Sequence, residues 1–164
     1  MVNVTHQTDF RFMNRYADGK SAILTWGCLF FSLLNLVETK GLVALSAPEK
    51  LMLYDRLVEI NTKNPKRGMT ETCFVMNHED VLQAAIDHLN PNLQAKYLRI
   101  ERGKQHQVLW ADSRTPATDY IGQFAVKGGH SHFNRIDHSM RVVYDPYPQL
   151  PLRELMSVRV YWIG

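Results

Sequence analysis

Cys28 is the residue of this sequence best placed to act as a nucleophile, because it follows Gly27 at the start of an apolar segment. That segment predicts a helix from Cys28 to Lys40, with Gly41 as its stop. A thiol in the first turn of a helix faces the positive end of the helix dipole, which favours the thiolate. The backbone N–H groups of the same turn can bind an oxyanion. The alternative is a small apolar core residue, since free cysteines are commonly buried.

A thiol nucleophile needs an imidazole within hydrogen-bonding reach and an acceptor that orients the imidazole. His132 lies near the start of one predicted strand, and Asp145 follows the end of the next. A turn near 137–139 would pair these strands as a hairpin and place His132 beside Asp145. The pattern therefore predicts a catalytic triad of Cys28, His132 and Asp145. Asp145 is also typical of a residue that ends a strand and starts a turn.

The histidines and acids of this region also permit two other interpretations. His130 competes with His132 for the role of base, because residues two apart on a strand share a face. A strand His-x-His pair can hold zinc or iron, with further ligands from Asp137, His138 or Asp145. The sequence has no HExxH motif and no cysteine pair that would support such a site. We therefore expect no metal and no cofactor.

The elements that must position these residues change in character along the chain. The first half predicts helices, one of which begins at a capping box from Ser46 to Glu49. From about residue 95 the hydrophobic period becomes two, which predicts strands. The predicted helices are 28–40, 47–61 and 78–89, and the predicted strands are 96–101, 107–111, 120–127, 131–136, 140–144 and 157–163. Helices followed by a largely antiparallel sheet define an α+β fold.

Composition limits the alternatives. The chain has 164 residues, so we expect one domain over 1–164. Its 45% hydrophobic content excludes collagen and general disorder, and two cysteines cannot form a disulfide framework. A net charge of +3 gives no strong nucleic-acid signal. Cys73 is expected in the core, and His78, His88 and His106 at the surface or in caps. The sequence contains no apolar run long enough to predict a membrane span.

Three short patches together resemble the papain-like cysteine peptidases: Trp26-Gly27-Cys28, then Gly-His-Ser-His132-Phe133, then Tyr-Asp145-Pro146. They are similar in style to the bacterial double-glycine (bacteriocin-processing) peptidase-like proteins and to small uncharacterised proteins of phages and mobile elements. The resemblance implies a papain-like domain whose N-terminal helices pack on a C-terminal antiparallel sheet, with its central helix starting at Cys28. It would comprise an extension (1–20), a helical half (21–90) and a sheet half (95–164).

The resemblance also implies the role of each residue. Cys28 would be the nucleophile, His132 the general base and acid, and Asp145 the orienting group. One departure concerns the oxyanion donor, because such enzymes usually carry a glutamine about six residues before the cysteine. The stretch Ser21–Thr25 contains none, and nothing in the sequence selects between Asn14 and Gln123 as a replacement.

The function expected on these grounds is a thiol hydrolase that cleaves an amide, a peptide or a cell-wall peptide bond, encoded by a phage or mobile element. Its partners would be a peptide or protein substrate, with a protein partner or a second copy as a further option. The absence of a secretory signal suggests the host cytoplasm or a virion. The alternative is a catalytically silent papain-like binding or structural module, such as a virion component or an inhibitor of a host protein. The missing glutamine and the aromatic C-terminal strand favour that alternative.

Overall fold

The computed structural model describes residues 26–102, 118–148 and 150–164, in which three helices pack against a five-stranded antiparallel sheet. The helices are α1 (Cys28–Gly41), α2 (Ala47–Lys63) and α3 (His78–Leu89). The strands are β1 (Ala95–Arg102), β2 (Thr118–Ala125), β3 (Ser131–Ile136), β4 (Val142–Tyr144) and β5 (Leu155–Ile163). Their order across the sheet is β1-β5-β2-β3-β4. The predicted α+β class is confirmed.

The helix starts follow from capping chemistry that the sequence displays. At the start of α2, the Ser46 Oγ accepts from the Glu49 backbone N–H at 3.3 Å, and the Ser46 N–H donates to the Glu49 carboxylate at 3.1 Å. At the start of α3, the Asn77 side chain accepts from the Asp80 N–H at 3.0 Å. Both predicted starts are therefore confirmed, and α2 continues to Lys63, two residues beyond its predicted end.

The central position of α1 explains its apolar sequence. Every residue of the range 30–38 is buried, and the helix packs against α3 on one side and β3 on another. Gly41 is the last residue of α1 rather than its stop. Leu42 takes the left-handed position instead, with a φ of 55° and its N–H bonded to the Glu38 carbonyl. The packing of α1 on β3 carries Cys28 towards the hairpin that holds His132.

The C-terminal strand lies inside the sheet. β5 pairs with β1 on one edge and with β2 on the other, so both rows of its backbone hydrogen bonds are used. It begins at Leu155, two residues before its predicted start. Because neither edge of β5 is free, its backbone offers no unpaired edge to another chain.

Some predictions fall on segments that the structure does not describe. These are the extension 1–20, the stretch Ser21–Thr25, Asn14, His106 and the predicted strand 107–111. Within the described ranges, none of the helices combines the length and the apolar character that crossing a membrane requires. Cys73 is buried in the main core, as predicted.

Candidate functional site

The hairpin formed by β3 and β4 brings together two residues of the predicted triad. Its turn is fixed by the Asp137 carboxylate, which accepts hydrogen bonds from the backbone N–H groups of Ser139 at 2.8 Å and Arg141 at 2.9 Å. The strands on either side pair antiparallel. His132, near the start of β3, therefore lies next to Asp145, which directly follows β4.

His132 and Asp145 form a short, shielded hydrogen bond. The His132 Nε2 lies 2.6 Å from the Asp145 Oδ1. The two side chains are only 3% and 17% exposed. The Asp145 carboxylate also accepts from the Tyr147 backbone N–H at 2.9 Å, which fixes its orientation. Since a carboxylate accepts, Nε2 carries the donated proton, and Nδ1 is the ring nitrogen left for another partner.

Cys28 is the second group that acts on this ring. Burial by itself lowers the pKa of the His132 imidazole, but the hydrogen bond to Asp145 raises it, and so do the hydrogen bond and the charge of Cys28. The favourable interactions outweigh burial and raise the pKa to about 9. The ring is therefore protonated at neutral pH. The structure thus brings Cys28, His132 and Asp145 into one connected group.

A groove of about 690 Å³ opens beside Cys28. One wall is the start of α1, a second is the loop before α3, and a third is the loop and strand that lead into β3. Its lining residues are Trp26, Cys28, Leu29, Thr72, Cys73, Phe74, Val75, His78, Gly129, His130, Ser131, Phe133 and Arg159. A carbonyl bound in this groove would lie against the Cys28 thiol.

Cys73 also lines the groove but differs chemically from Cys28. Its side chain is buried, with 4% of the residue exposed. Burial, followed by the charge of Cys28, raises its pKa far above the ordinary range of a thiol. Cys73 is therefore a neutral thiol at physiological pH, and its reactivity is low because the thiolate is the nucleophile.

Gln123, one of the two replacements named for the missing glutamine, is engaged within the sheet. Its amide nitrogen donates to the Ser131 Oγ at 2.8 Å. Its amide oxygen accepts from the Ser157 Oγ at 2.8 Å and from Arg159 at 3.3 Å. Gln123 is not among the residues that line the groove. It holds Ser131 and Arg159, which do line the groove, in place.

Apart from His132 and Asp145, which bond each other, the residues of the alternative metal site do not converge. Asp137 holds the hairpin turn, and the His138 ring lies edge-on to Tyr120 at a centroid distance of 5.1 Å. His130 is exposed and lies 6.3 Å from the Trp26 ring, just before β3 begins. The part of the chain that the structure describes contains no group of three residues that could hold a metal ion.

Sequence reasoning missed two groove residues, His78 and Arg159. The sequence places His78 at the surface or in a cap, but its Nδ1 lies 2.7 Å from the Tyr161 hydroxyl and its ring stacks on Tyr97 at 4.5 Å. Burial, followed by the charge of Arg159, lowers the pKa of His78 to about 4. By contrast, His88 is exposed and bonds Glu49 at the surface, as expected. The sequence contains one indication that Arg159 is functional, because this charged residue occupies an alternating position of an otherwise apolar strand.

Comparison with known proteins adds no relative to this description. The chain matches no family model, and neither the curated proteins nor the solved structures contain a significant match. The α+β architecture and the connected group at Cys28 are therefore the observations from which a function can be inferred. A shared fold would in any case leave the chemistry to be argued from the site.

Proposed function

We propose that this protein is a thiol hydrolase of papain-like organisation that cleaves an amide or peptide bond through Cys28, His132 and Asp145. One observation carries the proposal: a buried imidazole is held by a carboxylate at one nitrogen and interacts with a thiol that faces a groove. That arrangement meets the geometric requirements of nucleophilic acyl transfer, namely an activated nucleophile, a base and an orienting group. The papain-like fold, the peptide substrate and the phage origin remain parts of the proposal.

The reaction would proceed in two halves. The Cys28 thiolate attacks the carbonyl carbon of the bound amide and forms a C–S bond. The C–N bond then breaks, and His132 gives its proton to the leaving amine. Water next attacks the thioester while His132 takes a proton from it, and the C–S bond breaks. That proton remains on His132, which restores the thiolate and imidazolium. Asp145 keeps the ring in position and stabilises its charge throughout.

The helix start offers a donor for the oxyanion. The Phe31 N–H makes the first hydrogen bond of the α1 ladder, to the Gly27 carbonyl at 2.9 Å. The backbone N–H of Cys28 precedes that ladder, so it has no acceptor within α1 among the residues that the structure describes. It points from the positive end of the helix dipole, which favours a negative oxygen. This donor would serve without the upstream glutamine that similar enzymes carry.

Alkylation with iodoacetamide tests the proposal, and Cys73 serves as an internal control. Native protein is treated across pH 5–10, and modification of each cysteine is followed by peptide mass spectrometry. We expect Cys28 to react near pH 6, where an ordinary thiol is almost inert, and Cys73 to stay unmodified. His132→Ala should lower the Cys28 rate at pH 6 by about 100-fold, since the variant lacks the imidazolium that favours the thiolate, and two units of thiol pKa correspond to about this factor. A Cys28 that reacts no faster than Cys73 would sink the proposal.

A binding or structural module is the second candidate. Two large apolar residues of the groove are exposed to solvent, Trp26 at 52% and Phe74 at 66%. Exposed aromatic side chains on both sides of a groove are typical of a surface that binds another protein. An inert Cys28, together with loss of a protein partner in Trp26→Ala, would favour the module over the enzyme.

A further inference from the structure

Arg159 on β5 is a partly buried cation whose hydrogen bonds go to neutral groups. One terminal nitrogen of its guanidinium donates to the Ser157 Oγ at 3.1 Å and to the Gln123 Oε1 at 3.3 Å. The guanidinium carbon lies 4.7 Å from the centre of the Phe133 ring. Among the residues that the structure describes, no carboxylate forms an ion pair with it. Its other two nitrogens therefore retain donors with no described acceptor.

Such a cation would gain from an anion that reaches it. Burial lowers the pKa of Arg159, which means that the charged form is poorly compensated where it lies. An arginine nevertheless remains charged in proteins. A partly desolvated guanidinium without a counter-charge binds a carboxylate more strongly than an exposed one would, because water screens the interaction less.

Apart from the thiolate and imidazolium of Cys28 and His132, which compensate each other, the groove offers no charge that would compete for this anion. None of its lining residues is acidic. His78 is neutral near pH 7, because burial and Arg159 lower its pKa to about 4. The polar residues on the walls, such as Thr72 and Ser131, are uncharged. Arg159 therefore sets the sign of the charge that the groove accepts.

We infer that the groove beside Cys28 selects substrates that carry a carboxylate, and that Arg159 binds this group. The inference rests on the proposed function, since it names the substrate class of the same site. The carboxylate belongs either to an acidic side chain or to a chain terminus. Arg159 is a specificity-determining residue in this scheme, and Gln123 and Ser157 are positioning residues that hold its guanidinium.

Paired alkylating probes measure this selectivity at Cys28. N-iodoacetyl-glutamic acid α-amide and N-iodoacetyl-glutamine α-amide differ only by a side-chain carboxylate. N-iodoacetyl-glycine and N-iodoacetyl-glycinamide form the matching pair for a terminal carboxylate. In each case the thiolate forms a C–S bond, and the C–I bond breaks with loss of iodide. We expect the charged member of at least one pair to modify Cys28 about tenfold faster than its neutral partner.

Substitutions then assign the preference to Arg159. Arg159→Gln should bring the charged-to-neutral rate ratio to about one, and Arg159→Lys should retain part of it, because the charge remains while the fork geometry is lost. Arg56→Gln is the matched control, since it removes the same charge from an exposed position on α2, away from Arg159. It should leave the ratio within about twofold of the wild type, as expected for a screened surface charge. Circular dichroism verifies that each variant is folded.

Two outcomes overturn the inference: equal rates for both members of both pairs, or a preference that survives in Arg159→Gln. The proposed function fails separately, when even the neutral probes leave Cys28 unmodified. In that case a nuclear magnetic resonance titration of Cys28→Ser with N-acetyl-glutamic acid α-amide decides the inference. Shifts at the Arg159 side-chain N–H that N-acetyl-glutamine α-amide does not produce would support it. Identical responses to the two compounds would reject it.

Discussion

His132 and Asp145 share a 2.6 Å hydrogen bond across 13 positions of the chain, and a single turn makes this possible. Asp137 holds that turn through two backbone N–H groups, so the hairpin register and the hydrogen bond depend on each other. The carboxylate is further fixed by the Tyr147 N–H at 2.9 Å. Because both partners are held by backbone geometry, the imidazole is oriented before any substrate binds.

The protonation of His132 is the first prediction. We expect its imidazole to titrate with a midpoint near pH 9, since Asp145 and Cys28 outweigh the effect of burial on its pKa. Asp145→Asn should move the midpoint down by about one unit or more, because the amide removes the charge that stabilises the imidazolium. The measurement is a two-dimensional nuclear magnetic resonance titration of the histidine rings. A wild-type midpoint at or below the ordinary histidine value of 6.5 would contradict it.

Local sequence chemistry was sufficient for most of the elements. The capping box at Ser46 and the Asn77 cap determine the starts of α2 and α3, and the apolar run after Cys28 determines α1. The hairpin could also be derived, because two short alternating segments flank a turn at Asp137. These features are local, so each can be recognised without knowing the rest of the fold.

The groove could not be derived in the same way. Arg159 and Cys28 both line the groove because β5 inserts between β1 and β2. No local sequence pattern specifies that strand order. The sequence places His78 at the start of a predicted helix, and this position indicates a surface residue. Its burial depends on Tyr161, which lies 83 positions away. Long-range pairing is the information that a single sequence lacks.

The contribution of His132 to stability should fall as the pH rises through the range in which this residue loses its proton. The pKa of His132 is about 9 in the folded protein, against an ordinary value of 6.5 for a histidine side chain. A raised folded-state pKa gives stability that is complete below pH 6.5 and is lost as the pH approaches 9. The His132 contribution to the free energy of unfolding drops by about 2–3 kcal/mol over this interval, and a Cys28 thiol that is ionised only in the folded protein offsets part of this drop.

Urea denaturation at half-unit steps between pH 6 and 9 measures this decline. Asp145→Asn supplies the control, because the variant lacks the carboxylate that raises the pKa and should lose far less stability over the same range. Equal declines in the wild type and Asp145→Asn between pH 6.5 and 9 would show that the interaction of His132 with Asp145 is not stabilising.

The hydrogen bond between His78 and Tyr161 should be visible in a double-mutant cycle. Tyr161 is fully buried, and its hydroxyl lies 2.7 Å from the His78 Nδ1. His78→Phe leaves that hydroxyl without this partner, so we expect a loss of about 1–3 kcal/mol. Tyr161→Phe in the same chain removes the unsatisfied group and should recover part of the loss. Strictly additive effects of the two changes on the free energy of unfolding would argue against the pairing.

Protonation of His78 should lower the free energy of unfolding in acid. The pKa of His78 is about 4 in the folded protein, mainly because of burial, against an ordinary value of 6.5. The unfolded chain therefore binds more protons at this site between pH 6.5 and 4, and stability falls as the pH falls through that window. His78→Gln cannot titrate and should show a shallower acid slope in thermal unfolding. Parallel slopes for His78→Gln and the wild type would contradict this assignment.

Gly68 fixes the loop that forms one wall of the groove, and its replacement should be costly. Its φ is 66°, and a Cβ there would collide with the carbonyl oxygen of Leu57. Its N–H donates to Asp80 at 2.8 Å and its carbonyl accepts from Met76 at 3.0 Å, which closes the loop onto α3. Gly68→Ala should therefore lower the free energy of unfolding by about 2–4 kcal/mol, through left-handed strain and overpacking. Alkylation of Cys73, which this loop keeps buried, should speed up in parallel.

Gly41→Ala is the matched control, because a Cβ at Gly41 meets nothing within 4 Å. Gly41 is the last residue of α1, where alanine has the better helix propensity, so this change should be neutral or raise stability by up to about 1 kcal/mol. Urea denaturation compares the two variants under the same conditions. Equal effects on stability would mean that neither the backbone angle nor the contact with Leu57 constrains the loop. The groove wall would then have to be held by the ion pair between Arg67 and Asp80 instead.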